Sequence, residues 1–378
     1  MMKILMLSTD SGIFDPHSRV SERMRFYAGA LDELHIVVVA NGIVQESSRG
    51  NLFIYNVWGS FSTRYIRTVR EVRHILRDRF IDTVSVQSPD EFGLLAYGAT
   101  RRSRVAFQVQ VHTDVMNPYW RHSSWKERVR AIIADFLIPR ATCVRVVSHR
   151  IAESLIAAGL VTRDRVTILP VFTDIERAIG AAPDPAVVEQ LRAYSFKMLA
   201  AGRFVEKEKN FFLLIDMMLK FTESHPDALL VIAGEGRDKK RYLHRIRAYG
   251  LEKNVILHEW VEDLSAYSAA FDAFCISSNY EGWGVVALEA MAVGVPVIMT
   301  DVGLAGELIK NKENGLVVPV GDVRAFCAAV ESLVENIALR HTLGQNGRRS
   351  IMANSILLKR EEYLHRFRQS LVSCRLPL

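Results

Sequence analysis

Three short stretches of this chain bring together side chains able to act on a charged, hydroxyl-rich ligand. The first is Asn279-Tyr280-Glu281-Gly282-Trp283-Gly284-Val285-Val286-Ala287-Leu288-Glu289. An apolar run, Phe274-Cys275-Ile276, feeds a turn with glycines at 282 and 284 and then a helical pattern. Glycine lets backbone approach a ligand closely. The first N–H groups of the helix, around Gly284, Val285 and Val286, have no partner inside it and favour an anion. Glu281 in the turn and Glu289 on the helix add two carboxylates. N–H groups for phosphate and carboxylates for hydroxyls suit a polyol phosphate. The same spacing also fits a plain strand–turn–helix with solvated acids.

The second stretch is Gly202-Arg203-Phe204-Val205-Glu206-Lys207-Glu208-Lys209-Asn210, between an apolar run and a helical pattern. Arg203 and Lys209 have the reach and charge to neutralise a diphosphate. Glu206, Lys207 and Glu208 read as a solvated charge run. The third is Val109-Gln110-Val111-His112-Thr113-Asp114, where His112 ends an apolar strand. A lone histidine there is either structural or, at the edge of a ligand cleft, functional.

These side chains need a scaffold, and the alternation of apolar runs with helical patterns supplies one. Strands are predicted at Lys3–Leu7, His35–Ala40, Phe53–Val57, Thr83–Val86, Val105–Val111, Cys143–Val147 and Val166–Leu169. After a Pro-rich break at 181–185 they resume at Met198–Ala201, Leu229–Ala233, Val255–Leu257, Ala273–Ile276, Val297–Met299 and Gly315–Val318. Runs such as Ile36-Val37-Val38-Val39, apolar at every position, fit parallel strands covered by helices on both faces. Helices are expected between them, among others Arg64–Arg79 and Trp125–Ile138. The fold class is therefore α/β: two Rossmann-like, doubly wound domains facing across a cleft, with ligands at the carboxyl ends of the strands. The expected division is 1–180, 186–349 and a helical tail over 350–378 that returns toward the N-terminal domain.

Composition narrows the classes further. With 49% hydrophobic and 24% charged residues the chain reads as an ordinary globular protein, not a disordered or fibrous one. No run approaches the roughly 18 apolar residues that a membrane span needs, and the short apolar start reads as a first strand rather than a signal peptide. The cysteines at 143, 275, 327 and 374 are far apart in sequence and read as separate reduced thiols of a cytoplasmic protein. No metal is expected, since no Asp-x-Asp and no His/Cys/carboxylate cluster has ligand spacing.

Taken in order, these blocks resemble the retaining glycosyltransferases of family 4, which have the GT-B fold. The resemblance rests on Gly202-Arg203 and Lys209-Asn210, then Val231-Ile232-Ala233-Gly234-Glu235-Gly236, then Glu281 and Glu289 followed by Ala290-Met291-Ala292-Val293-Gly294-Val295-Pro296-Val297-Ile298, then Asn314-Gly315-Leu316. It is strong from Met198 to about residue 330; in the N-terminal domain only the pattern matches. It implies that Arg203 and Lys209 bind the donor diphosphate and stabilise it as leaving group. Glu289 would hold the ribose, Glu281 the donor sugar, and His112 would face the sugar near the reacting carbon. Backbone at Gly284, Val285 and Val286 would meet sugar or phosphate, and Trp260 and Val261 would border the base. Gly12 stands alone in the first loop, where many relatives have a Gly-Gly pair beside the phosphate. Trp283 replaces a smaller residue and would reshape the sugar pocket.

The resemblance thus implies transfer, with retention and without a cofactor or metal, of a hexosyl unit from a UDP- or GDP-sugar to a sugar, glycolipid or lipid-linked acceptor. Surface polysaccharide or glycoconjugate assembly is the expected setting. A nucleotide-sugar epimerase or phosphorylase of the same fold is the alternative. The whole excess of the +6 net charge lies in residues 1–180, with 24 Lys and Arg against 18 Asp and Glu. No nucleic-acid module accompanies it, so nucleic acid is not an expected partner. Arg64, Arg67, Arg70, Arg73 and Arg77 recur every three or four residues, and a second patch mixes Trp120 and Trp125 with Arg121, Lys126, Arg128 and Arg130. An anionic membrane surface, such as the inner face of the plasma membrane, is the partner such patches suit. A covering helix with solvated arginines has the same pattern.

Overall fold

The computed structural model of the protein describes residues 2–40, 42 and 47–374. It divides into two compact units, Met1–Phe172 with Lys359–Leu378, and Thr173–Leu358.

The first unit is one sheet of eight strands: β1 (Lys3–Ser8), β2 (Glu33–Val39), β3 (Ser47–Arg49), β4 (Leu52–Val57), β5 (Thr83–Val86), β6 (Ala106–Val111), β7 (Cys143–Val146) and β8 (Val166–Ile168). Their order is β3-β4-β2-β1-β5-β6-β7-β8. All described pairs are parallel except β3 with β4. Polar and three residues long, β3 carries no apolar signal and is the strand the sequence reading lacks. Helices cover the sheet because β2, β5 and β6 are buried almost end to end.

The second unit has six parallel strands: β9 (Phe196–Ala201), β10 (Ala228–Ala233), β11 (Val255–His258), β12 (Ala273–Ile276), β13 (Val297–Thr300) and β14 (Leu316–Val318), ordered β11-β10-β9-β12-β13-β14. In chain order that is 3-2-1-4-5-6, the doubly wound arrangement. Its topological switch point, where a ligand crevice opens at the carboxyl ends, lies between β9 and β12. In the first unit the strand order reverses between β1 and β5.

The prolines at 183 and 185 do more than interrupt. Pro185 occupies the first turn of a helix, Pro185–Gln190, whose N-cap Asp184 accepts from Ala186 N–H at 2.8 Å. The terminal helix Arg360–Val372 packs in the first unit, where Tyr27 stacks on Phe367 with centroids 4.4 Å apart. One cysteine reading is corrected. Cys143 on β7 and Cys374 just past that helix, 231 residues apart in sequence, are not separate: their Cα atoms lie 5.1 Å apart. Only the fold brings them together. Cys275 and Cys327 remain buried thiols, and burial pushes the Cys327 thiol up to about 11.

Candidate active site

At the switch point of the second unit, two loops are stitched into one surface. The loop after β9 carries residues 202–210 and the loop after β12 carries residues 277–284. Asn279 accounts for much of the seam: its N–H donates to Glu208 O at 2.8 Å and its Nδ2 to Lys207 O at 3.2 Å. Ser277 Oγ donates to Lys209 O at 2.8 Å. Asn210 adopts a left-handed backbone (φ 47°) and donates from Nδ2 to Asn279 Oδ1 at 3.2 Å. Asn tolerates that conformation better than most residues. On the other side, the β10 loop lies flush against the first: a Cβ at Gly234 would sit 1.9 Å from Gly202 O. Only glycine allows that approach.

The seam holds four charges in a row. Lys209 Nζ donates to Glu281 Oε1 at 2.5 Å and lies 3.3 Å from Glu208 Oε1. Ser278 Oγ donates to the same Glu281 oxygen at 2.7 Å. One Arg203 guanidinium nitrogen donates to both oxygens of Glu208, at 3.0 and 2.9 Å. Arg203 is the exposed end of the row, with 72% side-chain exposure against 13% for Lys209. Burial works against the Lys209 charge, but the carboxylates of Glu281 and Glu208 outweigh it and hold its ammonium above the ordinary lysine range. Two cations and two carboxylates leave the row neutral.

The solvated charge run expected over 206–208 is therefore corrected at two positions. Glu208 bridges Arg203 and Lys209. Glu206 turns inward, accepts from Phe212 N–H at 3.2 Å, and is pushed up to about 7 by burial, against the pull of that N–H and of Tyr242. Their partners are near in sequence, but only the fold of the loop decides which of these charges pair and which turn inward.

Beyond the row, the helix Val285–Ala292 starts on Gly284, left-handed at φ 95°, and no side chain caps it. The N–H groups of its first turn, including Val285 and Val286, thus stand open to an anion. Glu289 is buried on that helix at 8% exposure, and Trp283 is buried at 6%. Trp260 and Val261 follow the edge strand β11, two strands from β9, with Trp260 half exposed.

Gly12 and His112 belong to the first unit, after β1 and β6. Gly12 N–H donates to Asp10 Oδ1 at 3.0 Å, so a phosphate there must displace that carboxylate. His112 Nε2 lies 3.1 Å from Gln110 Oε1, and Gln110 Nε2 donates to Ser85 Oγ at 2.8 Å. Arg145, buried on β7, donates from Nη1 to the same Gln110 oxygen at 3.4 Å and from Nη2 to Pro170 O at 3.0 Å and to Tyr363 Oη at 2.9 Å. Arginine only donates, so the amide oxygen of Gln110 faces it. His112 must then donate through Nε2, leaving the lone pair on Nδ1. Burial, with Arg145 and Arg23 nearby, pushes His112 down to about 3, so the imidazole is neutral.

Comparison with known proteins agrees with this architecture. The family model described as glycosyl transferases group 1 matches residues 188–350, and the glycosyl transferase 4-like domain matches residues 26–171. The lipopolysaccharide core biosynthesis glycosyltransferase LpsE of Rhizobium meliloti is 32% identical over 156 residues, 41% of this chain and 44% of that protein. The chain spans about half the length of the curated relatives it matches. Sucrose-phosphate synthase from Thermosynechococcus elongatus superposes with TM-score 0.80 at 19% identity, covering 98% of both chains. Anabaena HepE, solved with UDP-glucose, superposes with TM-score 0.75 at 18% identity, covering 99% of this chain and 100% of its own. At such identity the likeness shows the fold, which is GT-B.

Proposed function

We propose that this chain, which belongs to the glycosyl transferases of group 1, moves a hexosyl unit from a nucleoside-diphosphate sugar to a sugar, glycolipid or lipid-linked acceptor, with retention at the transferred carbon. The observation that carries the reading is the Arg203–Glu208–Lys209–Glu281 row at the β9/β12 switch point, beside an uncapped helix start. A donor diphosphate is dianionic, and the row offers two cations within one loop. As the bond from the sugar carbon to the diphosphate oxygen breaks, negative charge grows on that oxygen. Arg203 and Lys209 are the cations that meet it, and well-placed donors of this kind are worth about 3 kcal/mol each. The acceptor hydroxyl attacks from the face the diphosphate leaves, and its proton passes to the departing phosphate oxygen. The row is neutral before the donor arrives, so the carboxylates act as resting counter-ions. When the diphosphate takes Arg203 and Lys209, Glu281 is released to accept from sugar hydroxyls.

The donor base is open between uracil and guanine; the UDP-glucose bound by HepE and the glycolipid and polysaccharide settings of the relatives support a sugar nucleotide and a cell-surface product. In this reading the chain's own cations offset the diphosphate, and turnover survives a chelator.

Calorimetry on the intact chain with UDP and with GDP tests the site. One of them should bind, and Glu208→Gln should tighten it several-fold by removing the carboxylate that both cations must leave. Absence of heat with both nucleotides, at concentrations up to millimolar, sinks the reading.

A further inference from the structure

The helix Trp125–Leu137 in the first unit is built inside out. Its buried residues are Ala131, Ala134 and Leu137, whereas Trp125, Val129, Ile132 and Phe136 are exposed at 77%, 47%, 68% and 40%. Those four recur at i, i+4, i+7 and i+11, which places them within about 60° of one another on a 3.6-residue helix. A covering helix ordinarily turns its large apolar residues to the sheet and its polar ones to water. Here the large ones face out in one continuous stripe, and an exposed stripe of this kind marks an interaction surface.

What surrounds the stripe identifies its partner. The helix Phe61–Asp78 packs on the helix Glu91–Thr100, which packs on Trp125–Leu137, so the three lie side by side in one layer. The first of them buries Thr68, Val72 and Ile75 and exposes Arg70, Arg73 and Arg77. Arg128 flanks the stripe on its own helix, and Arg140, just past it, stacks on Phe136 at 3.9 Å. Across the three helices eight Lys and Arg stand against five Asp and Glu, and two of those acids are matched by local bases, Glu91 with Arg130 at 2.8 Å and Asp135 with Arg121. The face therefore presents an apolar ridge with an unneutralised basic field around it.

We infer that the layer formed by residues 61–78, 91–100 and 125–137 docks the chain on an anionic lipid surface, with the Trp125–Phe136 stripe entering the headgroup boundary and the flanking arginines meeting the headgroups. An apolar stripe on a helix lying in the membrane plane, with basic residues beside it, is the physical pattern of interfacial attachment. Arginines near such a surface add to it and make it salt-dependent. The inference stands apart from the transfer reaction: it uses no residue of the switch-point row and reads out without a donor.

The test is sedimentation of the full chain with phosphatidylcholine vesicles and with vesicles containing 40% phosphatidylglycerol. The chain should pellet with the anionic vesicles at low salt, weakly or not at all with the neutral ones, and at least about tenfold less with either when Ile132→Asp is introduced. Charge reversal at Arg70 and Arg73 should lower binding to anionic vesicles alone. Ile132 is exposed, so the variant should melt like the parent, and its UDP or GDP calorimetry should be unchanged. No pelleting with anionic vesicles at low salt overturns the inference, as does pelleting that Ile132→Asp leaves intact. A dimer at micromolar concentration that Ile132→Asp dissolves, without vesicle binding, overturns it in favour of a second copy as the occupant.

Discussion

The two units share a doubly wound strand order yet hold their reactive side chains in opposite electrostatic states. In the second unit, Lys209 is a buried ammonium kept charged by two carboxylates, Glu281 and Glu208. In the first, His112 is an imidazole kept neutral, and the charge in its neighbourhood is the buried Arg145, whose described partners are carbonyls, an amide and a phenol. One loop stores charge until a ligand claims it. The other presents a lone pair and no charge. The contrast can be attacked from either side.

The largest effect should come from the charged side. Lys209→Ala removes the ammonium on which Glu281 and Glu208 converge, and with it a cation that strengthens its contact as the diphosphate departs. Turnover should fall by about 10²-fold or more, with a smaller change in KM, because the lost interaction is greatest in the transition state. Steady-state rates with a labelled sugar nucleotide would check this. A variant that loses affinity while keeping kcat would make Lys209 a ground-state binder and remove the contrast with His112.

The strands that carry this contrast were legible in the sequence because each is an apolar run bounded by turn residues. All thirteen strands read from sequence recur, with every end within one residue except the N-terminal ends of β2 and β9, which start two residues earlier. Arg203, Lys209 and Glu281 were legible as residue types, and the structure brings them together as one row. Lateral relations were not legible. Glu208 looks like any solvated acid until its loop folds and sets it between Arg203 and Lys209, and Asn279 and Ser277 declare themselves only through the backbone groups they tie. Gln110 sits inside a buried strand, where polar residues carry no periodic signal; only Arg145, one strand across, reveals that it sets the His112 tautomer. The outward stripe of Trp125–Leu137 was hidden for a different reason. Helical spacing identifies an apolar face but not which way it points.

A middle-sized effect should distinguish the units by pH. Glu206, beside the charged row, is pushed up to about 7 from an ordinary 4.5. A raised folded-state value means the native state binds the proton more tightly. The stability it contributes is therefore complete below pH 4.5 and is lost as pH rises through 7. Glu206→Gln imitates the protonated carboxyl and keeps the acceptor for Phe212 N–H. Relative to the parent, the variant should gain on the order of 1–2 kcal/mol between pH 5 and pH 8, the full shift being reduced by the solvent the group still meets. Urea unfolding at the two pH values would measure it. Parallel curves for parent and variant would mean that Glu206 is ionised in the fold.

The smallest effect belongs to His112, and its sign is reversed. Its folded value lies near 3, below the ordinary 6.5, so the native state binds the proton less tightly than the unfolded chain. That stability is complete above pH 6.5 and is lost as pH falls from there toward 3. His112→Gln keeps a donor facing Gln110 and cannot titrate, so its acid limb should be flatter than the parent's by about 1 kcal/mol between pH 6.5 and 5.5, where the unfolded chain takes up the proton and the fold does not. Turnover gives the sharper reading. A neutral imidazole holding its Nδ1 lone pair toward a hydroxyl needs no proton between pH 5 and 9. The parent's kcat should show no limb near 6.5, and His112→Gln should lower kcat across that range with nucleotide affinity nearly intact. The Nδ1 and Nε2 shifts in a ¹⁵N-histidine spectrum at pH 6 would report the tautomer directly. An imidazolium signature there would return His112 to the charged class and leave the two units alike.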